Sequence, residues 1–351
     1  MAAFTTIDNA QENMGVKAYT GTNAVFNVTW DNSASMTPAM VILKRRNAAG
    51  DAPLLYDTTR GVNKLLETSN DEVEESLTSL TAFDSDGFTL AADTSGRFNS
   101  SGDTFVGWGW KAGTTSGITG GDITPDSYSF DTTAGFGIYN YQGSGGVGDT
   151  IAHGLGAVPK MIWIKSDDYA YSWQVYHVST GNTGNMVLND TAAFSVDNSR
   201  WDDTTPSSTV WTMGSGATVN YSGRNFVAYV WAEKKGYSKF GDFKGNGNAD
   251  GPFIYTGFRP AFLLIKIYSG SGTGNWYIVD DKRTGHNPDN NYLIANLTNA
   301  DDTGDVIDLT SNGFKITSTE FGMNADGKSM IYAAWAQSPF VNSSGVPTNA
   351  R

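Results

Sequence analysis

The 351-residue sequence has no cysteine, three histidines and only 23 Lys plus Arg. Without cysteine there are no disulfides, no thiolate nucleophiles and no cysteine-ligated zinc, which excludes a secreted domain stapled by disulfides. Charged residues make up 17% of the chain, against about 25% in typical domains. No basic cluster exceeds Lys44-Arg45-Arg46 and the formal net charge is −13, so no nucleic-acid partner is expected. The longest apolar runs, Phe226 to Ala232 and Met330 to Ala336, are seven residues. Spanning a bilayer with a helix takes roughly 20, so no membrane insertion is expected. The N-terminal MAAFTTIDNAQENMG has no early basic residue and no apolar stretch, so no signal peptide is expected.

What the chain does have is glycine and aromatic residues. Its 41 glycines are roughly 12% of the residues, against about 7% on average. Aromatics reach 13%, and Thr, Ser, Asn and Gly separate short runs of Val, Ile, Phe, Tyr and Trp. That alphabet predicts an all-β protein with many turns and nearly excludes a mostly helical enzyme. The segment Asn63 to Leu80 is rich in helix formers, but its irregular apolar spacing predicts at most two helical turns there.

An internal repeat sets the organisation. Pro38 to Lys44, Pro159 to Lys165 and Pro260 to Lys266 each place an apolar run between a Pro and a Lys six residues later. Asn99, Gly102 and Trp110 recur as Asn220, Gly223 and Trp231 and as Asn324, Gly327 and Trp335, with identical offsets. Between these blocks Tyr56-Asp57 with Gly61 matches Tyr176-His177 with Gly181 and Val279-Asp280 with Gly285; the first and third copies add an arginine, Arg60 and Arg283, and the second does not. Asp86-Gly87-Phe88 and Asn312-Gly313-Phe314 also match, whereas the second copy has Val210-Trp211 there.

Physically, Asn-x-x-Gly reads as a hairpin turn and the apolar runs as central strands covered on both faces. Lys44, Lys165 and Lys266, together with Trp110, Trp231 and Trp335, are the repeat-locked core. The prediction is three tandem antiparallel β-sandwich repeats of jelly-roll type, each with its own core: 1–113, 128–240 and 252–351, the last with a C-terminal tail. Gly-rich linkers at 114–127 and 241–251 join them.

The units resemble the repeated β domain of virion structural proteins of marine tailed bacteriophages, notably tail-fibre and appendage proteins. The resemblance rests on the Pro-to-Lys strand, Tyr56 to Gly61, Phe83 to Leu90, Trp110-Lys-Ala-Gly113, and Gly236-Tyr-Ser-Lys-Phe-Gly with Asn248-Ala-Asp-Gly-Pro-Phe and Gly257-Phe-Arg-Pro260. It covers nearly the whole chain and carries no catalytic residue. It implies a virion protein, assembled in the host cytoplasm and extracellular after release, that contacts other virion proteins. The first repeat begins within about the first 25 residues, which suits a tail tip, a short appendage or a capsid-surface decoration better than a long fibre. The expected role is attachment to a host surface glycan or receptor, by a homo-oligomer; the alternatives are capsid decoration and a virion glycan-degrading enzyme.

The residues offer little enzymology. His153 lies in a Gly-rich turn, His177 replaces an aspartate and His286 follows a turn glycine, so structural roles are expected. Carboxylate pairs occur at Asp84 with Asp86, Asp167-Asp168, Asp202-Asp203, Asp280-Asp281 and Asp301-Asp302, mostly beside turn formers, where Asp caps backbone N–H groups. Asp84 and Asp86 are the best calcium candidates but lack the full loop pattern; no cofactor and no catalytic residue is expected. For ligand contact the candidates are Tyr169, Tyr171, Trp173, Trp201 and Tyr268, which lie in polar surroundings in the variable middle part of the second and third copies and could stack on sugar rings; Trp173 aligns with Trp276, which favours packing for it.

Overall fold

A computed structural model describes residues 5–270, 274–283, 287 and 291–348. It is nearly all β, 43% strand and 3% helix, in antiparallel sheets. Among the described residues three large sheets share one strand order. In each, an opening strand (Met14–Thr20, Phe136–Gln142, Ser238–Lys244) pairs with a closing strand (Thr104–Trp110, Asn225–Ala232, Ser329–Pro339). The closing strand pairs with a central strand (Met40–Arg45, Pro159–Ser166, Phe258–Ile267), and that with a turn strand (Leu54–Asp57, Gln174–His177, Trp276–Asp280). The central strands are apolar along their middles, over residues 40–43, 161–164 and 260–265, because both of their faces are covered there. Pro159 and Pro260 sit at register shifts of their strands, where the missing N–H breaks no ladder.

One face of each large sheet carries a smaller sheet, as in a two-layer sandwich. In the first unit this is Phe26–Thr29 with Gly87–Leu90 and Leu80–Asp84; in the second, Asp149–Ala152 with Val210–Met213; in the third, Phe253–Tyr255 with Gly313–Ile316 and Ile307–Thr310. The first two units have their own outer cores, around Tyr56 and Phe88 and around Trp211 and Tyr139. The other faces of all three large sheets meet in one continuous core, so the expectation of three separate cores is corrected. Trp335 lies with its ring centre 5.5 Å from Trp110 and 6.0 Å from Trp231, and Phe262 is within 5.2 Å of Trp110 and 5.6 Å of Trp335. The repeat-locked tryptophans therefore bury one another across units, each edge-on contact adding about 0.5–1.5 kcal/mol beyond its buried area.

Polar contacts close the ring in one direction. Tyr229 of the second unit donates its hydroxyl to Asp57 of the first (2.7 Å), and Trp108 of the first donates its indole N–H to Asp280 of the third (3.0 Å). His177 of the second places Nε2 3.2 Å from the carbonyl of Tyr332 in the third. A second set runs alongside: the Trp173 indole donates to the carbonyl of Glu67 (2.9 Å) and the Trp276 indole to that of Val187 (2.9 Å). The first unit has Pro53 at the matching position, and Thr68 Oγ1 donating to Ala295 O (2.6 Å) makes the third contact.

Three further expectations change. Asn63 to Leu80 forms no helix but the short strands Lys64–Glu67 and Glu75–Ser76. Residues 241–251 are not a free linker, because Gly241 to Lys244 continue the opening strand paired from Ser238↔Trp335 to Lys244↔Ser329; the third unit thus begins near 238. In 114–127, Thr114 bridges Phe130 and the buried Ile123 bridges Ile151, so the segment is packed onto the second unit.

Candidate functional site

The Lys end of the central strands is where the copies differ. Lys44, Lys165 and Lys266 are buried, and each ammonium donates to loop carbonyls: Asp51 for Lys44, Ser166 (2.6 Å) and Tyr169 (3.4 Å) for Lys165, Thr191 (2.6 Å) and Gly274 for Lys266. Burial lowers all three to about 8. These lysines anchor the loops from below.

The asparagine of each Asn-x-x-Gly block, fully buried in all three copies, clamps the loop beyond the opening strand. Its Oδ1 accepts from Thr22, Ser144 or Asn246 N–H (2.9, 2.9 and 3.0 Å), and its Nδ2 donates to the carbonyl two residues on, Ala24, Gly146 or Asn248 (2.7, 2.8 and 2.7 Å). The paired Gly102, Gly223 and Gly327 have φ of +83°, +78° and +67°, a region that favours glycine. Opposite them Gly21, Gly143 and Gly245 lie so close to this turn that a Cβ on any of them would collide with its backbone.

On this common base the second unit carries an aromatic cluster. The Tyr169 and Tyr171 ring centres are 4.5 Å apart, tilted by 41°, and the Arg224 guanidinium carbon lies 4.6 Å from the Tyr169 ring centre. Tyr169 and Tyr221 remain 42% and 49% exposed. The Arg224 N–H donates to the Tyr221 carbonyl (3.1 Å), so Tyr221 sits on the same turn as the guanidinium that covers Tyr169; the Tyr171 phenol is raised by burial and then by its tyrosine neighbours. Asp168 is fixed beside them by Ser166 Oγ (3.1 Å), while burial and the nearby Glu74 push the Asp167 carboxyl up to about 6. The arrangement offers apolar ring faces, a guanidinium donor and a carboxylate acceptor at one exposed end, a combination suited to a polyhydroxylated ring. The first unit instead has Arg45 paired with Asp51 (3.1 Å) and Asp103 (2.8 Å).

Of the five predicted ligand residues the structure brings together Tyr169 and Tyr171. Trp173 and Trp201 are buried and corrected to core residues: Trp173 faces the first unit, and Trp201 packs edge-on at 5.8 Å from Tyr176. Tyr268 is half-buried against the central core and stands apart from the cluster. Tyr221 and Arg224 were missed, although Tyr221 directly follows the locked Asn220, where the other copies have Ser100 and Ala325. That disagreement was the available signal.

The remaining candidates serve the scaffold. His153 is buried between Ser207 O (3.2 Å) and Leu155 N–H (3.2 Å); His286 lies outside the described residues. Asp84 accepts from Thr89 Oγ1 (2.7 Å) and Asp86 from Met36 N–H (3.2 Å). Among the described residues no three His, Cys, Asp or Glu side chains converge to hold a metal. Asp202 and Asp203 occupy left-handed turn positions, with φ of +49° and +47°. Asp280 and Asp301 are held by Arg283 (2.7 and 2.8 Å), and burial pushes the Asp281 carboxyl up to about 6. Among the described residues no helix is long and apolar enough to cross a membrane.

Residues 9–339 match the model of a family described as a domain of unknown function (DUF7483), and the chain belongs to that family. No curated protein and no solved structure matches it.

Proposed function

We propose that this protein is a non-enzymatic structural subunit of a bacteriophage virion, a tail tip or short appendage, that attaches the particle to a host surface glycan through the tyrosine–arginine end of its second unit. The observation that carries the attachment role is the cluster of Tyr169, Tyr171, Tyr221 and Arg224, with Tyr169 and Tyr221 exposed and Tyr171 and Arg224 half-buried behind them, on loops that buried Lys165 and Asn220 hold still. Rigid aromatic platforms lose little conformational entropy when a ligand stacks on them, and Tyr and Arg recur where a few residues dominate binding. The virion placement rests on the sequence resemblance described above.

Two measurements test the two parts. Cryo-EM of the particle is expected to place the chain at the tail, next to other virion proteins and in several copies; density on the capsid lattice would replace this reading with capsid decoration. Binding of the full chain to purified host envelope glycan is expected to fall at least tenfold in Tyr169→Ala and Tyr221→Ala, with melting unchanged within about 0.5 kcal/mol for such surface sites. Undiminished binding would remove the cluster from the account, and release of glycan fragments by the wild-type chain would make it an enzyme.

A further inference from the structure

Where the chain passes from the second unit into the third lies a cavity of about 230 Å³. It lies beside the start of the strand Phe258–Ile267, whose other end carries Lys266. Its walls include Glu233, Lys239, Tyr255, Gly257 and Phe340. Three features give it chemical character. The strand Phe253–Tyr255 points Ile254 inward and leaves the Tyr255 ring 60% exposed, although its backbone is fixed by pairing with Gly313. Together with Phe340 that ring supplies an apolar wall. Glu233 Oε1 stands 3.1 Å from Lys239 Nζ, and Glu233 Oε2 accepts the Phe240 N–H at 3.2 Å, so a carboxylate acceptor and an ammonium donor are held side by side. Gly257, at φ +84°, puts no side chain into the space, and its carbonyl takes the Phe340 N–H at 3.1 Å, tying the C-terminal wall in place.

We infer that this cavity binds one neutral hexopyranose ring, with the sugar's C–H face on Tyr255 and two neighbouring hydroxyls on the Glu233–Lys239 pair. Adjacent sugar hydroxyls present a donor and an acceptor side by side, and the carboxylate–ammonium pair is their complement. Lys239 is already neutralised by Glu233, and Lys235, the other lysine in the wall, has a partner of its own, so neither ammonium is left over for an acidic sugar. The volume is below the roughly 300–1,000 Å³ of pockets that enclose drug-sized ligands, so a single ring fits inside and a longer chain would leave through the mouth. This site is separate from the tyrosine end and does not depend on the role proposed for it.

The test uses the full chain with the methyl glycosides of glucose, galactose and mannose as probes, methyl glucuronide as the acidic comparison, and saturation-transfer NMR with titration calorimetry as readouts. At least one neutral hexoside is expected to bind saturably and more tightly than the glucuronide. Tyr255→Ala and Glu233→Gln should each weaken it at least tenfold, both in the wild-type chain and in a Tyr169→Ala background, where the tyrosine end no longer contributes. Tyr255 is exposed, so its variant keeps the fold, which a melting curve verifies. The inference is overturned if no neutral hexoside binds, if the glucuronide binds best, or if Tyr255→Ala binds as the wild type does.

Discussion

In the first and third units the turn after the central hairpin is Asp-x-x-Arg; in the second it is His177, with no arginine. The difference follows from what each turn faces. Asp57 looks at the Tyr229 hydroxyl and Asp280 at the Trp108 indole, both side-chain donors two residues before a locked tryptophan. The matching position before Trp335 is Ala333, which offers nothing to an acid. His177 instead accepts the Ser179 N–H on Nδ1 (3.2 Å), leaving Nε2 as the N–H that donates to the Tyr332 carbonyl, with the ring 6.3 Å from Phe240. The turn residue is thus chosen by the next unit in the ring. Divergence of the middle copy, which looks like drift along the sequence, is complementarity across an interface.

The acid turns should be the more costly to break. Burial alone would raise the Asp57 carboxyl, but Arg60, Thr59 and the Tyr229 hydroxyl outweigh it and hold the group below the usual carboxylate range. Asp57→Ala removes the nearest carboxylate of the buried Arg60 and leaves it only Glu74, at 3.3 Å, and breaking such a buried pair costs about 3–5 kcal/mol in denaturant unfolding; a loss under 1 kcal/mol would mean the contact to the second unit carries nothing. Trp335→Ala removes the residue on which all three units converge and should cost about 3–5 kcal/mol. Probes in the first unit should register that loss as strongly as probes in the third.

His177 sharpens the comparison through pH. Burial lowers it to about 4, so between about 6.5 and 4 the unfolded chain takes up a proton that the folded chain refuses. Stability present above pH 6.5 is lost as pH falls toward 4, by roughly 3 kcal/mol at most from a shift of this size. Asp167 and Asp281, both raised to about 6, act in the opposite sense, since the folded state protonates them first. The difference between wild type and His177→Gln isolates the histidine: the variant should lose this acid slope, and parallel curves would contradict the assignment. A smaller effect is expected at the loops. Asn220→Ala leaves Ser144 N–H and Gly146 O without partners and should cost about 1–3 kcal/mol, with faster amide exchange confined to residues 142–148.

Much of this was legible in the sequence, and what was not has a physical cause. The Pro-to-Lys and closing strands could be read because double-sided burial leaves an uninterrupted apolar run. The direction those tryptophans face could not, because apolar character does not say whose core is filled: Trp110 and Trp231 meet a tryptophan of another unit. Trp173 is polar in setting but aligns with Trp276, and both are buried with their indoles donating to a carbonyl of a neighbouring unit, a partner the sequence does not name. Gly241 read as linker, but it pairs with Tyr332, whose ring lies against the space a side chain would need. At the tyrosine end, two of the four residues were named, and Tyr221 and Arg224 were hidden behind a turn that attracted notice for its asparagine and glycine.

The central claim is that three units of one design share a single core and stand or fall together. Differential scanning calorimetry of the full chain tests it most directly. The account predicts one cooperative transition whose calorimetric and van't Hoff enthalpies agree. Two or three resolved transitions, or a van't Hoff enthalpy near a third of the calorimetric value, would show that the units melt independently and contradict it.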